Sequence, residues 1–236
     1  MSGPTSASPG RWARLTWQVE DPAAWAAALG RRLGLAPEPL DGVAWRLGLG
    51  GEPLDVVPWL REGSNDHPHA EGRLVFEPVS GGGAAPGQVP GAGLALVGVA
   101  WSTVELDRAE AELDPWLLAR DPALGDGDAA ADPHLGARTR RRRTDALPGG
   151  ALVLAEPNTE GRLAASLARD GEGPCALYLA PAGGLDAWVA GARARNLQLS
   201  ARRPGPLGPA LLLAGRTVAG PHILVVQAAE PSTIAS

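Results

Sequence analysis

Apolar and polar residues follow one pattern that recurs three times along the chain. Each repeat opens with a short, mostly apolar strand, continues into an amphipathic helix and ends in further strands. The opening strands begin near Arg14, Leu94 and Cys175, so successive repeats are offset by 80 and 81 residues (94 − 14 and 175 − 94). Such regular spacing indicates duplication of one supersecondary unit. One unit could not bury its sheet face alone, so we expect the units to pair.

The first repeat carries clear signals for a helix after its opening strand. Asp21 can cap this helix, and Pro22 is favoured at its first position. Trp25, Leu29 and Leu33 recur every four residues and give the helix one apolar face. Further strands are predicted over residues 42–49, 53–60 and 73–79.

The second and third repeats follow the same plan. In the second, an apolar helical stripe is formed by Leu106, Ala109, Leu113, Trp116 and Leu117. In the third, the stripe is formed by Leu185, Trp188, Val189 and Ala192. The pattern predicts a loop over residues 121–133 and strands over residues 134–144 and 150–157.

These repeats divide the chain into five segments. Residues 1–10 are polar, lack the charged and apolar regions of a signal peptide, and are predicted to be a disordered tail. Residues 11–79 form a half-module, and residues 80–93, rich in glycine and proline, form a linker. Residues 94–228 form a paired domain, and residues 229–236 form a second tail.

Composition narrows the class of protein. The chain has 236 residues, 44% of them hydrophobic, with a net charge of −5 and a pI near 5.4. The acidic balance argues against binding to nucleic acid, and no apolar run is long enough to cross a membrane. Cys175 is the single cysteine, which excludes an intramolecular disulfide. It favours a reducing compartment, so we expect a cytoplasmic protein.

Two stretches of the paired domain resemble a known superfamily. VGVAWSTVELDRAEAEL (97–113) and LVLAEPNTEGRLAASLARDGEGPCALYL (152–179) resemble the vicinal oxygen chelate superfamily, with methylmalonyl-CoA epimerases as the nearest group. Glyoxalases, extradiol dioxygenases and bleomycin resistance proteins also belong to it. Residues 14–79 resemble a further half-module. The resemblance implies an α+β fold of repeated βαβββ modules, whose curved mixed sheets carry helices on the convex face and the ligand site on the concave face.

Many members of this superfamily bind a metal ion on the concave face, and the resemblance assigns its ligands to four positions. These positions are Leu96, Val153, Ala176 and Leu224. Divalent cations need oxygen, nitrogen or thiolate donors, and aliphatic side chains offer none. We therefore expect neither a metal nor another cofactor.

The concave face is then either plain core or a hydrophobic ligand pocket. Strict alternation along the second opening strand would put Leu96, Gly98 and Ala100 on one face. On the neighbouring strands, Tyr178 and His222 would be the few polar groups of that face. With Glu156, which ends a strand in a Glu-Pro pair, they are the weak candidates for acid–base catalysis.

An arginine-rich strand offers a candidate anion site. Arg138, Arg140 and Arg142 would share one face of this strand, and Arg141 and Arg143 the other. Arginine forks suit phosphate or carboxylate groups, but a charged edge strand also protects a sheet against aggregation. We take the first three arginines, with Tyr178 and Trp101, as candidate ligand-binding residues.

Two smaller patterns complete the candidates. In the first repeat, Arg14, Thr16 and Gln18 alternate on one face, which would give this module a polar pocket unlike the others. Asp66–His69 reads DHPH and places two histidines two residues apart, either as metal ligands or in an exposed loop.

Two functional hypotheses follow, and a purely structural or regulatory partner protein is a third possibility. The first is a superfamily member that binds a small molecule without metal chemistry, as bleomycin resistance proteins sequester a drug. The second is a divergent lyase, isomerase or epimerase that acts on an anionic substrate. Because an odd half-module would leave one sheet face uncovered, we also expect a homodimer paired through residues 11–79.

Overall fold

The structure is a computed structural model. It describes residues 14–50, 52–58, 73–77, 93–117, 130–144, 147, 149–158, 160–214 and 221–227. The DHPH motif, the two predicted tails and nearly all of the predicted linker lie outside the described residues.

The first repeat forms a five-stranded sheet, here the N-terminal sheet, with one helix. Its elements are β1 (Arg14–Val19), α1 (Pro22–Leu33), β2 (Glu38–Pro39), β3 (Trp45–Leu49), β4 (Glu52–Pro58) and β5 (Arg73–Glu77). The strand order is β2-β3-β4-β1-β5. β1 is parallel to β4 and antiparallel to β5, as expected when a crossover helix follows the opening strand.

The ends of α1 confirm the capping signals. Asp21 Oδ1 accepts a hydrogen bond from the backbone N–H of Ala24 at 3.0 Å, and Pro22 occupies the first helical position. The helix ends at Gly34, whose φ of 75° is a left-handed conformation that glycine adopts without strain.

The second and third repeats form an eight-stranded sheet, here the C-terminal sheet. Its elements are β6 (Leu94–Ser102), α2 (Leu106–Leu117), β7 (Ala130–Asp132), β8 (Ala137–Arg143), β9 (Ala151–Pro157), α3 (Arg162–Asp170), β10 (Gly173–Pro181), α4 (Leu185–Ala194), β11 (Gln198–Leu199), β12 (Ala210–Ala214) and β13 (His222–Val226). The strand order is β11-β12-β13-β10-β6-β9-β8-β7. No helix in the described ranges is long and apolar enough to cross a membrane.

Strand pairing confirms the prediction of repeated βαβββ modules. In each module the opening strand is parallel to the last strand, as in β1 with β4, β6 with β9, and β10 with β13. β6 and β10 pair antiparallel and join the last two modules into one sheet. The prediction of a loop over residues 121–133 was wrong for residues 130–132, because three residues are too few to display an alternating pattern.

In the N-terminal sheet, β5 lies where a second module would pair. It is antiparallel to β1 on the side opposite β4, as β10 is to β6. The opening strand of this module therefore has a neighbour on both sides within its own chain.

The two sheets share one hydrophobic core. From the N-terminal sheet and α1 it contains Leu15, Trp17, Leu47, Leu54, Val56, Ala26 and Leu29. From the C-terminal sheet and α4 it contains Leu96, Val99, Leu177, Leu179, Val225 and Leu185. A hydrogen bond of 2.7 Å from Gly50 N–H to the Leu94 carbonyl also joins the sheets. The apolar face of the N-terminal sheet is thus covered by its own chain. An uncovered sheet face was the reason to expect a homodimer, so this reason no longer applies, and the homodimer stays a prediction.

A valine-to-alanine substitution in the shared core should lower the free energy of unfolding more than the same substitution at an exposed position. Val56→Ala removes two buried methyl groups from the N-terminal sheet, where Val56 is 0% exposed, and should lower the free energy of unfolding by about 2 kcal/mol. Val43→Ala is the matched control because Val43 is 61% exposed, and it should change this free energy by less than about 0.5 kcal/mol. Urea unfolding followed by tryptophan fluorescence measures both. Equal effects would contradict the described packing.

Candidate functional site

A contact between distant strands shows which face of the C-terminal sheet is concave. Three strands separate β10 from β7, so in a flat sheet they would lie about 19 Å apart. Yet the Tyr178 hydroxyl of β10 donates a hydrogen bond to Asp132 Oδ2 of β7 at 2.9 Å. The sheet therefore curls toward the face that carries Tyr178.

A second contact closes the curled sheet further. His134, in the turn after β7, places Nε2 at 3.0 Å from the Ala210 carbonyl of β12. Its Nδ1 lies 3.2 Å from Ser200 Oγ, next to β11. Because β7 and β11 are the two edges of the sheet, these bonds bring its edges together.

One row of residues crosses the concave face from strand to strand. Backbone pairing aligns Arg141, Val153, Ala100, Ala176 and His222. Cross-strand partners share a face of a sheet, so the row has an arginine at one end and a histidine at the other. The three small residues between them are fully buried in the same cluster as Tyr178.

Strict alternation along β6 was a wrong assumption. The pairing of β6 with β10 shifts register between Leu179 and Tyr178, which pair with Leu96 and Gly98. The irregularity at Val97 turns Leu96 toward the core shared with the N-terminal sheet, whereas Ala100 stays on the concave face. Leu96 thus does not face the site.

The positions assigned to metal ligands offer no donor atoms on the concave face. Of the four positions assigned to ligands, Val153, Ala176 and Leu224 lie together there, and all three are buried aliphatic residues. In the described ranges no three His, Cys, Asp or Glu side chains are grouped so that they could hold a metal. Without donor atoms at these positions, we derive no step that uses a metal.

Asp132 is the polar centre of this face. It is 1% exposed, and its Oδ1 accepts hydrogen bonds from the backbone N–H groups of His134 and Leu135, at 2.8 and 3.2 Å. Its Oδ2 accepts a hydrogen bond from the Tyr178 hydroxyl. Burial, together with the neighbouring Asp132 carboxylate, raises the pKa of Tyr178 well above its ordinary value, so the phenol keeps its proton at neutral pH.

The concave face is partly open at the start of β10 and β13, where Cys175 and His222 are only partly buried. His222 Nε2 is buried and has no hydrogen-bond partner among the described residues. Burial, with the nearby charges of Arg162 and Arg169, lowers the pKa of His222 to about 4, so its imidazole is neutral at pH 7. Burial raises the pKa of the Cys175 thiol to about 12, so it is not a ready nucleophile.

The three candidate arginines lie on the opposite, convex face. There Arg138 pairs with Glu156 at 2.6 Å, and Arg140 and Arg142 both pair with Glu110 of α2. Arg140 also contacts Asp107 at 2.8 Å. The arginines and Tyr178 therefore do not form one site, and their role in binding stays a prediction.

Two further candidates also lie on the convex side. Trp101 stacks on Phe76 of β5, with ring centroids 6.4 Å apart and planes at 5°. Glu156 accepts a hydrogen bond from the Leu106 N–H at the start of α2, at 3.1 Å, besides its pair with Arg138. Both residues make contacts that hold α2 and the N-terminal sheet in place.

Sequence reasoning missed Asp132 and did not include Arg141 among its candidates. Asp132 is one of several acidic residues in DPALGDGDAAADP, and nothing local distinguishes it from the others. Arg141 was placed opposite the chosen arginines, and only strand register reveals that its side of β8 is the concave one.

Comparison with known proteins adds similarity of fold only. No family model matches the chain, and no curated protein matches it at the threshold applied. Solved structures do match, including methylmalonyl-CoA epimerases, which belong to the superfamily that residues 94–228 resemble.

Three of these structures illustrate the extent of the match. A methylmalonyl-CoA epimerase from Mycobacterium tuberculosis is 19% identical, with a TM-score of 0.47, over 57% of this chain and 87% of that one. A Streptomyces coelicolor epimerase in complex with 2-nitronate-propionyl-CoA is 20% identical, with a TM-score of 0.40, over 56% and 96%. A hypothetical protein from Bacillus halodurans C-125 is 14% identical, with a TM-score of 0.46, over 59% and 97%.

The environment of Tyr178 predicts an unusual tyrosine titration. As pH rises through the ordinary value of 10, the unfolded chain loses the phenol proton and the folded chain keeps it, so stability should fall. Because the chain has one tyrosine, tyrosinate absorbance reports this residue alone. Absorbance should rise at pH 10 in urea but not in buffer. Tyrosinate formation at pH 10 with the near-ultraviolet circular dichroism unchanged would contradict the buried pair.

The environment of His222 predicts a loss of stability in weak acid. Between pH 6.5 and about 4 the unfolded histidine binds a proton that the folded one does not, so the free energy of unfolding should fall as pH falls through this range. NMR titration of the imidazole protons measures the pKa, and His222→Gln should remove this part of the pH dependence. An ordinary pKa near 6.5 at His222 would refute the described burial.

Proposed function

We propose that this protein binds a small, largely apolar molecule with a carboxylate group, without metal chemistry. The ligand would lie at the mouth of the concave face, where β10 and β13 begin. The observation that carries the proposal is His222, whose buried Nε2 has no protein partner among the described residues. A buried polar atom normally has a partner, and a ligand atom would supply it.

The surroundings of His222 favour an anion. Arg162 and Arg169 both lower the pKa of His222, whereas Asp132 raises it, and Arg169 is already paired with Asp170 at 3.1 Å. Arg162 is therefore the charge near His222 that would favour an anion. A neutral imidazole with its proton on Nε2 would donate a hydrogen bond to a carboxylate oxygen. The small side chains of Ala100 and Ala176 and the partly buried Cys175 supply apolar contacts below it.

Binding accounts for the polar groups better than acid–base catalysis does. Tyr178 has a raised pKa and already donates to Asp132, so at neutral pH it is a poor acid or base. Glu156 lies on the convex face in contact with α2. A His222 pKa of about 4 also makes this imidazole a weak base at pH 7. We therefore propose that the protein binds and sequesters its ligand and does not convert it.

Matched aromatic probes test the charge preference. Benzoate and phenylacetate should bind more tightly than benzyl alcohol, and benzylamine should bind least, as measured by isothermal titration calorimetry. His222→Leu should weaken benzoate binding by about tenfold, since it removes a hydrogen bond to a charged group. Treatment with EDTA should leave the affinity unchanged.

Two arginine variants separate the local field from the total charge. Arg162→Gln should weaken benzoate binding, whereas Arg31→Gln, an exposed position on α1, should not, although both remove one positive charge. Tighter binding of benzylamine than of benzoate, or equal affinities in His222→Leu and the parent chain, would refute the proposed site.

A further inference from the structure

The face of the N-terminal sheet opposite the shared core carries a row of polar residues. Backbone pairing aligns Arg46, Asp55, Thr16 and Val75 across β3, β4, β1 and β5. These residues alternate with Leu15, Trp17, Leu47 and Leu54, which face the core, so the row lies on the opposite face. Gln18 and Val57 form the next pair along the same face.

The centre of the row is a sheltered ion pair. Arg46 donates from Nε and Nη2 to the two carboxylate oxygens of Asp55, at 2.7 and 2.9 Å. The Asp55 side chain is 2% exposed and the Arg46 side chain 28%. The carboxylate is therefore buried and the guanidinium lies at the rim of this face. Such a fork is rigid and directional, which suits a recognition surface.

Thr16 lies beside this pair and lacks a partner. It is 0% exposed, and its Oγ1 has no hydrogen-bond partner among the described residues. A buried hydroxyl without a partner costs free energy, and valine would have the same shape without that cost. The hydroxyl is therefore unexplained by the packing of the sheet.

The second module shows that this fold does not require polar residues in the row. At the corresponding pair of opening and last strands, Ala100 of β6 is aligned with Val153 of β9, as Thr16 of β1 is with Asp55 of β4. Both apolar residues are fully buried. Since the same strand arrangement forms with alanine and valine, the polar pair in the first module is a local departure, and such departures are typical of functional sites.

We propose that the Thr16–Asp55–Arg46 row is a second ligand site, for a small uncharged molecule that carries hydroxyl groups. A hydroxyl group both donates and accepts hydrogen bonds. A ligand hydroxyl would therefore give Thr16 Oγ1 its missing hydrogen-bond partner and contact the side-chain amide of Gln18. A neutral ligand fits because the Asp55 carboxylate is already bound by the Arg46 guanidinium. Val57 and Val75 offer apolar contacts to the carbon frame of such a molecule.

Two threonine variants of the full chain test this proposal. Thr139 is also buried on a strand, but its Oγ1 donates to the Ala130 carbonyl at 2.9 Å, so it is the matched control for Thr16. Without ligand, Thr139→Val should lower the melting temperature by about 3 °C, whereas Thr16→Val should leave it unchanged or raise it.

Binding is measured by saturation-transfer NMR with D-ribose, D-glucose and myo-inositol as probes. At least one probe should bind the parent chain and Thr139→Val equally, and bind Thr16→Val about fivefold more weakly. Benzoate affinity should be the same in all three proteins, which separates this site from the one at His222. The proposal is overturned if none of the three probes binds, if Thr16→Val binds as well as the parent, or if it is destabilised as much as Thr139→Val.

Discussion

The hydrogen bond from Tyr178 to Asp132 is the constraint on which the C-terminal sheet depends. It joins a central strand to an edge strand across the concave face, and so fixes how far the sheet curls. The same carboxylate accepts two backbone N–H groups of the turn that carries His134, and His134 reaches the opposite edge. Removing one partner would leave a buried polar group unsatisfied, which costs more than the bond itself contributes. The Asp132 carboxylate thus contributes to the curvature of the sheet, to the contact between its edges and to the polar chemistry of the concave face.

The three modules have the same strand arrangement but carry different residues on the face opposite the shared core. In the C-terminal sheet the face opposite α2 and α4 is filled mostly by aliphatic residues, including Leu163 of α3, and His222 lies partly buried beside them. In the N-terminal sheet the corresponding face holds an ion pair and a buried threonine. Duplication followed by such divergence allows one scaffold to carry unlike sites, because the core shared by the two sheets lies on the other face.

Periodicity predicted the features that depend on local sequence. The cap at Asp21 and the βαβββ order follow from residue type and spacing. The aliphatic positions Val153, Ala176 and Leu224 were placed correctly on one face. Features set by contacts between distant strands escaped prediction. The irregularity at Val97 overturned the placement of Leu96, and only the curl of the sheet identifies Asp132 as a partner of Tyr178.

The outer strands of both sheets have a consequence for behaviour at high concentration. In the part of the chain that the structure describes, β2 and β11 are two residues long and β7 is three, so three of the four outermost strands offer very few unpaired backbone groups. The fourth, β5, has five residues and begins and ends with the charged residues Arg73 and Glu77. Short or charged edges are poor templates for the addition of strands from other molecules. The folded chain should therefore resist edge-to-edge aggregation even though nearly half of its residues are hydrophobic.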